Sequence, residues 1–229
     1  MSKSLGNVIG VPELLGRHAV DEVRWFYAST HYRTKLAFSW ELLAGASEGF
    51  RRVKRAVALM EARLAGLPDE ALRYGVPGGY ASLRVGDAGV PRERPGFTAG
   101  SFGAASERFI AAFMAAMDDD LATPSAMAAI YAYVGELFAG GLETSEDLAG
   151  LLAAYRCLLR HLHVLGVELG APRLYPELAA ESMVTGAPGT DASAGYTAVI
   201  DRLVQARQEA RARKDFARAD LVRELLAGA

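Results

Sequence analysis

Hydrophobic residues recur at alternating steps of three and four along much of the chain, which is the spacing of one face of an α-helix. The longest such pattern follows Ser39, whose side chain is predicted to cap the helix. Its apolar positions are Leu43, Ala46, Phe50, Val53, Val57, Met60 and Leu64. The pattern predicts one long amphipathic helix that buries this face.

Similar patterns predict further helices in the second half of the chain. Thr123, which is followed by proline, is typical of a cap and first helical turn. Ser145 is predicted to begin the next helix, which ends at Gly166. A helix from about Tyr196 and a shorter one ending near Leu226 follow. Because no alternation typical of strands appears, the predicted fold class is all-α, an antiparallel bundle of four or five helices.

Glycine and proline are concentrated in two stretches whose composition cannot sustain helices. The first, 68–103, is predicted to be a long insertion in the bundle, and the second lies before the last two helices. The predicted divisions are an N-terminal loop with a short helical connector (1–38), the helical bundle (39–181), a linker (182–195) and a basic helical hairpin (196–229).

The composition is that of a soluble globular protein, with 229 residues, 23% of them charged, and a net charge of −2. The longest apolar run, 109–117, is far too short to cross a bilayer, and no signal peptide is predicted. We therefore expect a cytoplasmic protein without membrane contact. The single cysteine, Cys157, excludes an internal disulfide and a cysteine-rich zinc site, and it is predicted to be buried in a helix.

Charge is distributed unevenly along the chain. Residues 1–63 hold ten Lys and Arg against six Asp and Glu, and residues 196–229 hold seven against five. Residues 104–190 hold four against eleven. Basic ends around an acidic middle indicate an anionic partner that is bound at separated points, although scattered solvated charge gives the same counts.

The last part of the chain carries a regular series of cations. Arg207, Arg211, Lys214 and Arg218 are spaced by four, three and four, so a continuous helix would place them on one face. Cations at this spacing suit successive phosphates of a nucleic acid. Pairing within the helix is the alternative, because Glu209, Asp215 and Asp220 lie close in sequence.

No catalytic or metal-binding constellation is assembled in the sequence. His161 and His163 are two residues apart on a predicted helix and therefore point in different directions, so no metal site is predicted. The run Asp118–Asp120 is predicted to favour the start of the following helix through its dipole rather than to bind Mg²⁺.

Four segments occur in an informative order: MSKSLGN (1–7), VRWFYASTHYRTKLAFS (23–39), MDDDLATPSA (117–126) and ARARKDFARAD (210–220). Together they resemble the C-terminal half of cysteinyl-tRNA synthetase, a class I aminoacyl-tRNA synthetase. The stretch from His31 to Ser39 and the DDD-x-x-TP stretch are the most specific. MSKSLGN resembles the KMSKS signature of that family without its first lysine.

The resemblance implies an ATP-binding loop at the start of the chain. Lys3 would be catalytic, stabilising charge on the phosphates of ATP, with Mg²⁺, while cysteine displaces pyrophosphate to give cysteinyl-adenylate. Ser2 and Ser4 would bind ATP beside it. A lysine that loop closure delivers can act mainly in the transition state, where it raises the rate.

The resemblance also implies that tRNA(Cys) is the partner that receives the cysteine. The connector would touch the inner side of the tRNA and the bundle would lie along it toward the anticodon. The residues implied in tRNA binding are Arg33, Arg207, Arg211, Lys214 and Arg218. A monomer is expected.

Several features of that family are absent from this sequence. The HIGH signature, the nucleotide-binding sheet and the zinc site that holds the cysteine thiolate would all belong to a preceding N-terminal part. Zinc is therefore expected only there, and the chain is expected to be inactive alone. Ala122 also departs from the asparagine that usually precedes the Thr-Pro pair.

Two other functions fit part of the pattern. The cysteine ligase of mycothiol synthesis also forms cysteinyl-adenylate but transfers cysteine to an amino sugar, so the basic C-terminal segment counts against it. A stand-alone, non-catalytic tRNA-binding module is the other, and a plain helical interaction protein is the residual alternative.

Overall fold

The computed structural model describes residues 9–67, Leu72, 100–169 and 192–227. Within these ranges the chain forms α-helices and no β-strand, which confirms the predicted all-α class. The helices are α1 (Val11–Leu15), α2 (Val20–Ala28), α3 (Trp40–Leu64), α4 (Gly103–Asp118), α5 (Thr123–Ala139), α6 (Leu148–Val164), α7 (Ala192–Ala212) and α8 (Phe216–Ala227). None of these helices is both long enough and apolar enough to cross a membrane.

Some sequence predictions lie outside the described residues. These are the loop at residues 1–8, nearly all of the insertion at 68–99, and the linker up to Asp191. The end of the predicted insertion is described, and there a short 3₁₀ turn, Gly100–Phe102, leads into α4.

Helix α3 is the central helix of the bundle and packs against α2, α5 and α6. Its start is as predicted, because the Oγ atom of Ser39 accepts a hydrogen bond from the N–H of Leu42 at 3.2 Å. Six of its seven predicted apolar positions are buried, and Ala46 is partly buried. The amphipathic pattern therefore predicted both the helix and the face that it buries.

Helices α4, α5 and α6 complete the core through aromatic side chains. The rings of Phe109 and Tyr133 stack with their centroids 4.4 Å apart, and burial raises the pKa of Tyr133 well above its usual value. The Tyr133 hydroxyl lies 2.7 Å from the Oγ atom of Ser106, so this buried polar group is paired. His161 is buried against the rings of Phe109 and Phe113, and its Nδ1 atom lies 2.7 Å from the carbonyl oxygen of Cys157. Both His161 and Cys157 therefore belong to the core.

One predicted helix cap, that of α5, and one predicted helix start, that of α6, are wrong. The residue that precedes α5 is Ala122 rather than Thr123, and it makes no side-chain cap. Helix α6 begins at Leu148 instead of Ser145, because the Asp147 carboxylate accepts from the N–H of Gly150 at 2.8 Å and caps the helix. The predicted stop signal of α6 is confirmed, because the helix ends at Val164 and Gly166, directly after the C-cap Leu165, has φ +72°.

The chain enters α4 through a tight crossing against the start of α6. Asp147 Oδ2 accepts from the N–H of Ser101 at 2.7 Å, in addition to the bond from Gly150. Burial acts to raise the pKa of Asp147, but these two N–H groups outweigh it, so the pKa is lowered. Gly100 has φ +70°, and a Cβ atom there would lie 2.5 Å from the Cα atom of Gly150. Only a glycine fits this crossing.

The connector helix α2 docks on the bundle through Trp25, which is fully buried. The indole ring stacks on Phe50 with centroids 4.7 Å apart, and its Nε1–H donates to the hydroxyl of Tyr131 at 2.9 Å. Arg24 adds a polar contact by donating to the carbonyl oxygen of Gly166 at 2.6 Å. The connector therefore contacts three parts of the bundle: α3, α5 and the end of α6.

Helices α7 and α8 pack against each other, and α8 also contacts α6. Lys214, with φ +60°, lies in the turn between them. Leu203 of α7 and the neighbouring Leu221 and Val222 of α8 are buried within the main core. The hairpin therefore adds to the bundle core.

Candidate functional site

The candidate site lies where the segment after α2 meets the turn between α4 and α5. His31, Tyr32 and Arg33 all contact Asp120, although Arg33 and Asp120 are 87 residues apart in sequence. We call these four residues the Asp120 cluster. It joins the two most specific segments of the sequence.

The Arg33 guanidinium and the Asp120 carboxylate form a two-pronged contact. The Nε atom of Arg33 lies 2.8 Å from Oδ2 of Asp120, and Nη2 donates to Oδ1 at 3.0 Å. The Tyr32 hydroxyl donates to the same Oδ1 at 2.6 Å and accepts from Arg33 Nε at 2.9 Å. The hydrogen bond to Asp120 raises the pKa of Tyr32. The three side chains thus hold one another in a single arrangement.

His31 ties the backbone of both segments together. Its Nδ1 atom accepts from the N–H of Arg33 at 3.3 Å, and its Nε2 atom lies 3.1 Å from the carbonyl oxygen of Asp120. The tautomer that carries its proton on Nε2 satisfies both contacts. The His31 ring also stacks on Tyr32, with centroids 4.8 Å apart.

The turn that presents Asp120 has unusual backbone geometry. Asp120 and Leu121 have φ values of 52° and 54°, in the left-handed region that non-glycine residues enter at an energetic cost. The N–H of Ala122 donates back to the carbonyl of Ala116 at 2.9 Å and closes the turn. The predicted dipole role for the acidic run therefore missed the main interaction of Asp120, which is with the connector.

Most cations of α3 are neutralised by neighbouring carboxylates. Lys54 Nζ lies 2.5 Å from Glu22, and this hydrogen bond lowers the pKa of Glu22 although burial opposes it. Arg55 lies 2.7 Å from Glu143, and Arg51 pairs with Glu48. In the described part of the chain, Arg52 and Arg63 have no carboxylate partner, and Arg63 donates to the carbonyl oxygen of Ser145. Three of the five cations of α3 are therefore paired with a carboxylate.

The four predicted cations of the hairpin do not share one helical face. Arg207 is partly buried on α7, Arg211 and Lys214 are exposed, and none of the three has a carboxylate partner among the described residues. Arg218 differs because α7 ends at Ala212 and the left-handed Lys214 lies in the following turn, so that Arg218 lies on α8. Because α7 and α8 are separate helices, the condition for one shared face, a continuous helix, is not met.

Arg218 instead turns toward the end of α3. Its side chain is 21% exposed, contacts Asp215 at 3.4 Å and donates to the carbonyl oxygen of Arg63 at 3.2 Å. The carboxylate of Asp215 also accepts from the N–H of Arg218 at 3.1 Å, at the start of α8. These contacts give Arg218 a structural role, and its contact with tRNA stays a prediction.

The predicted ATP-binding residues, Ser2, Lys3 and Ser4, lie outside the described residues. Their roles stay predictions. Arg33, Arg207, Arg211 and Lys214 also remain predicted tRNA contacts, and among the described residues no contact brings Arg33 together with the cations of the hairpin.

Comparisons with known proteins assign the chain to a family. Residues 1–48 match the family model of the class I (C) tRNA synthetase catalytic domain, and residues 112–170 match the DALR domain. The cysteine–tRNA ligase of Alkalilimnicola ehrlichii is 35% identical over 227 residues, which is 99% of this chain. The chain belongs to the cysteine–tRNA ligase family.

Other cysteine–tRNA ligases show the same extent of similarity. The enzyme of Thermus thermophilus is 31% identical over 99% of this chain, and that of Thioalkalivibrio sulfidiphilus is 35% identical over 100%. The chain spans 38% of the length of each of these three relatives. The Asp120 cluster takes residues from both matched regions of the cysteine–tRNA ligase family, because His31–Arg33 lie in the first and Asp120 lies in the second.

Proposed function

We propose that this chain acts as the C-terminal part of a cysteine–tRNA ligase. The complete enzyme would activate cysteine with ATP and Mg²⁺ and transfer it to tRNA(Cys) in the cytoplasm, as a monomer with its zinc in the N-terminal part. The observation that carries this proposal is the similarity over 99% of the chain to proteins named for that reaction.

In this proposal Lys3, flanked by Ser2 and Ser4, belongs to the loop that acts on the phosphates of ATP. An ammonium group that closes over the triphosphate would stabilise the negative charge that develops as pyrophosphate leaves. The family-model match over residues 1–48 supports this role, because it contains the MSKSLGN segment.

Three parts of the chain would bind the tRNA: the connector in the N-terminal division (1–38), the bundle (39–181) and the hairpin (196–229). A linker (182–195) joins the bundle to the hairpin. Arg33, Arg207, Arg211 and Lys214 are the proposed contacts. The exposure of Arg211 and Lys214, without carboxylate partners among the described residues, supports their availability for phosphates. Acylation of an amino sugar, the alternative, needs no such contacts.

The isolated chain is expected to give no cysteine-dependent exchange of pyrophosphate into ATP, because the proposed loop is only part of an active site. The measurement is isotope exchange with purified chain, and the Thermus thermophilus ligase serves as the positive control. The background is the exchange measured when cysteine is left out. Exchange above that background when cysteine is present would contradict the proposal that the active site needs an N-terminal part.

Binding of tRNA(Cys) is expected to weaken steeply with added salt. Changing Arg211 or Lys214 to glutamine should lower the affinity at low salt and reduce the slope of log Kd against log salt by about 0.7–0.9 for each phosphate that is no longer neutralised. Arg223→Gln is the matched control, because Arg223 is exposed on the same hairpin but pairs with Asp220 at 3.0 Å. Binding that ignores salt, or equal effects of all three variants, would count against the proposed surface.

A further inference from the structure

We propose that Asp120 is a positioning residue that holds Arg33 ready to bind a backbone phosphate of the tRNA. This inference rests on the proposed function and adds a site to it, formed by Arg33 and Tyr32 and oriented by Asp120. The ligand class is an RNA phosphodiester.

The geometry leaves the binding edge of Arg33 available. Asp120 and Tyr32 occupy its Nε atom and one hydrogen of Nη2, and within the described residues Nη1 has no protein partner. The Arg33 side chain is 68% exposed. Because a guanidinium is planar, fixing one edge fixes the direction of the other edge, which carries the remaining N–H donors.

Holding the Arg33 side chain in place before binding should raise its affinity for a phosphate. A free arginine on a surface loop loses rotamer freedom when it binds a phosphate, and holding it beforehand removes part of that cost. The Asp120 carboxylate is itself 45% exposed, so its pair with Arg33 contributes little to the stability of the fold. An affinity gain of about 2- to 10-fold is the expected benefit of the preordered side chain.

Electrostatics alone predicts the opposite sign. A carboxylate next to a bound phosphate repels it, so removal of Asp120 would tighten RNA binding if the charge were all that mattered. The sign of the effect of an Asp120 substitution therefore distinguishes positioning from simple repulsion.

The backbone around Asp120 also points to a function. Two successive non-glycine residues in the left-handed region are rare and persist where the surrounding structure holds them. Here that geometry brings a carboxylate onto an arginine on another segment, and the two segments lie in the two separately matched regions.

The test is a double-mutant cycle on binding of tRNA(Cys) at low salt, followed by fluorescence anisotropy of labelled tRNA. Arg33→Ala should weaken binding about 5- to 10-fold, and Asp120→Ala should weaken it about 3- to 5-fold because the arginine is no longer held. In the Arg33→Ala background, Asp120→Ala should have no further weakening effect. Arg33→Lys should not restore affinity, because an ammonium cannot bind Asp120 and a phosphate through two edges.

Each outcome decides between the possibilities. Tighter or unchanged binding by Asp120→Ala overturns the positioning role, and so does equal weakening in both backgrounds, which a general structural defect would cause. Should Asp120→Ala fold poorly, Asp120→Asn is the substitute, because it keeps the shape of the side chain. It should weaken tRNA binding when Arg33 is present and cause no further weakening in the Arg33→Ala background. Equal binding by the wild-type chain and Arg33→Ala refutes this site alone, whereas a wild-type chain that binds no tRNA refutes the proposed function with it.

Discussion

Replacing Trp25 by alanine is expected to lower the free energy of unfolding by about 3–5 kcal/mol. Trp25 is fully buried between the connector and the bundle, where its ring stacks on Phe50. The change would leave a large cavity and an unpaired Tyr131 hydroxyl. The measurement is urea denaturation followed by far-ultraviolet circular dichroism.

Two smaller substitutions separate the contributions at this position. Trp25→Phe keeps an aromatic ring in the site and should cost less than the alanine change. Tyr131→Phe removes only the hydrogen bond from the indole and should cost about 1 kcal/mol. A loss below about 1 kcal/mol for Trp25→Ala would mean that the connector is not part of the cooperative core.

Replacing Gly100 by alanine is expected to destabilise the fold by about 2–4 kcal/mol. The new Cβ atom would clash with the carboxylate of Asp147 and would lie 2.5 Å from the Cα atom of Gly150. Backbone must move to relieve the second contact, and φ +70° is unfavourable for alanine in any case. Thermal and urea unfolding of the variant would measure the loss.

The matched control is Gly45→Ala, in the exposed part of α3. A Cβ atom at Gly45 meets nothing within 4 Å, and alanine is the better helix former. This change should raise the free energy of unfolding by about 0.5–1 kcal/mol. Opposite signs for the two glycines are the expected result, and equal losses would contradict the description of the crossing at Gly100.

The sequence predicts those parts of the fold that depend on local chemistry. A hydroxyl cap such as Ser39 acts within one helical turn, and the apolar face of α3 repeats with the period of the helix itself. Gly166, with φ +72°, ends α6 for a reason that is equally local. Such features need no knowledge of distant residues.

Contacts between distant segments cannot be predicted in this way. The sequence pattern assigns Asp120 to the start of α5, but its carboxylate faces Arg33 across the turn, because two left-handed residues redirect the chain. The spacing of the cations places Arg218 in line with Arg211, whereas the break at Lys214 turns it toward α3. In both cases one backbone conformation changes the neighbours of a charged side chain.

The position of Trp25 also gives the protein a built-in optical probe. The chain has two tryptophans, and both lie where the connector meets the bundle, since Trp40 begins α3 and the guanidinium of Arg17 lies 4.4 Å from the centre of its ring. Tryptophan fluorescence therefore reports on connector docking and responds little to changes in the hairpin, which contains no tryptophan. Detachment of α2 would expose the Trp25 indole to water and shift its emission to longer wavelength, so that docking can be followed in real time without a label.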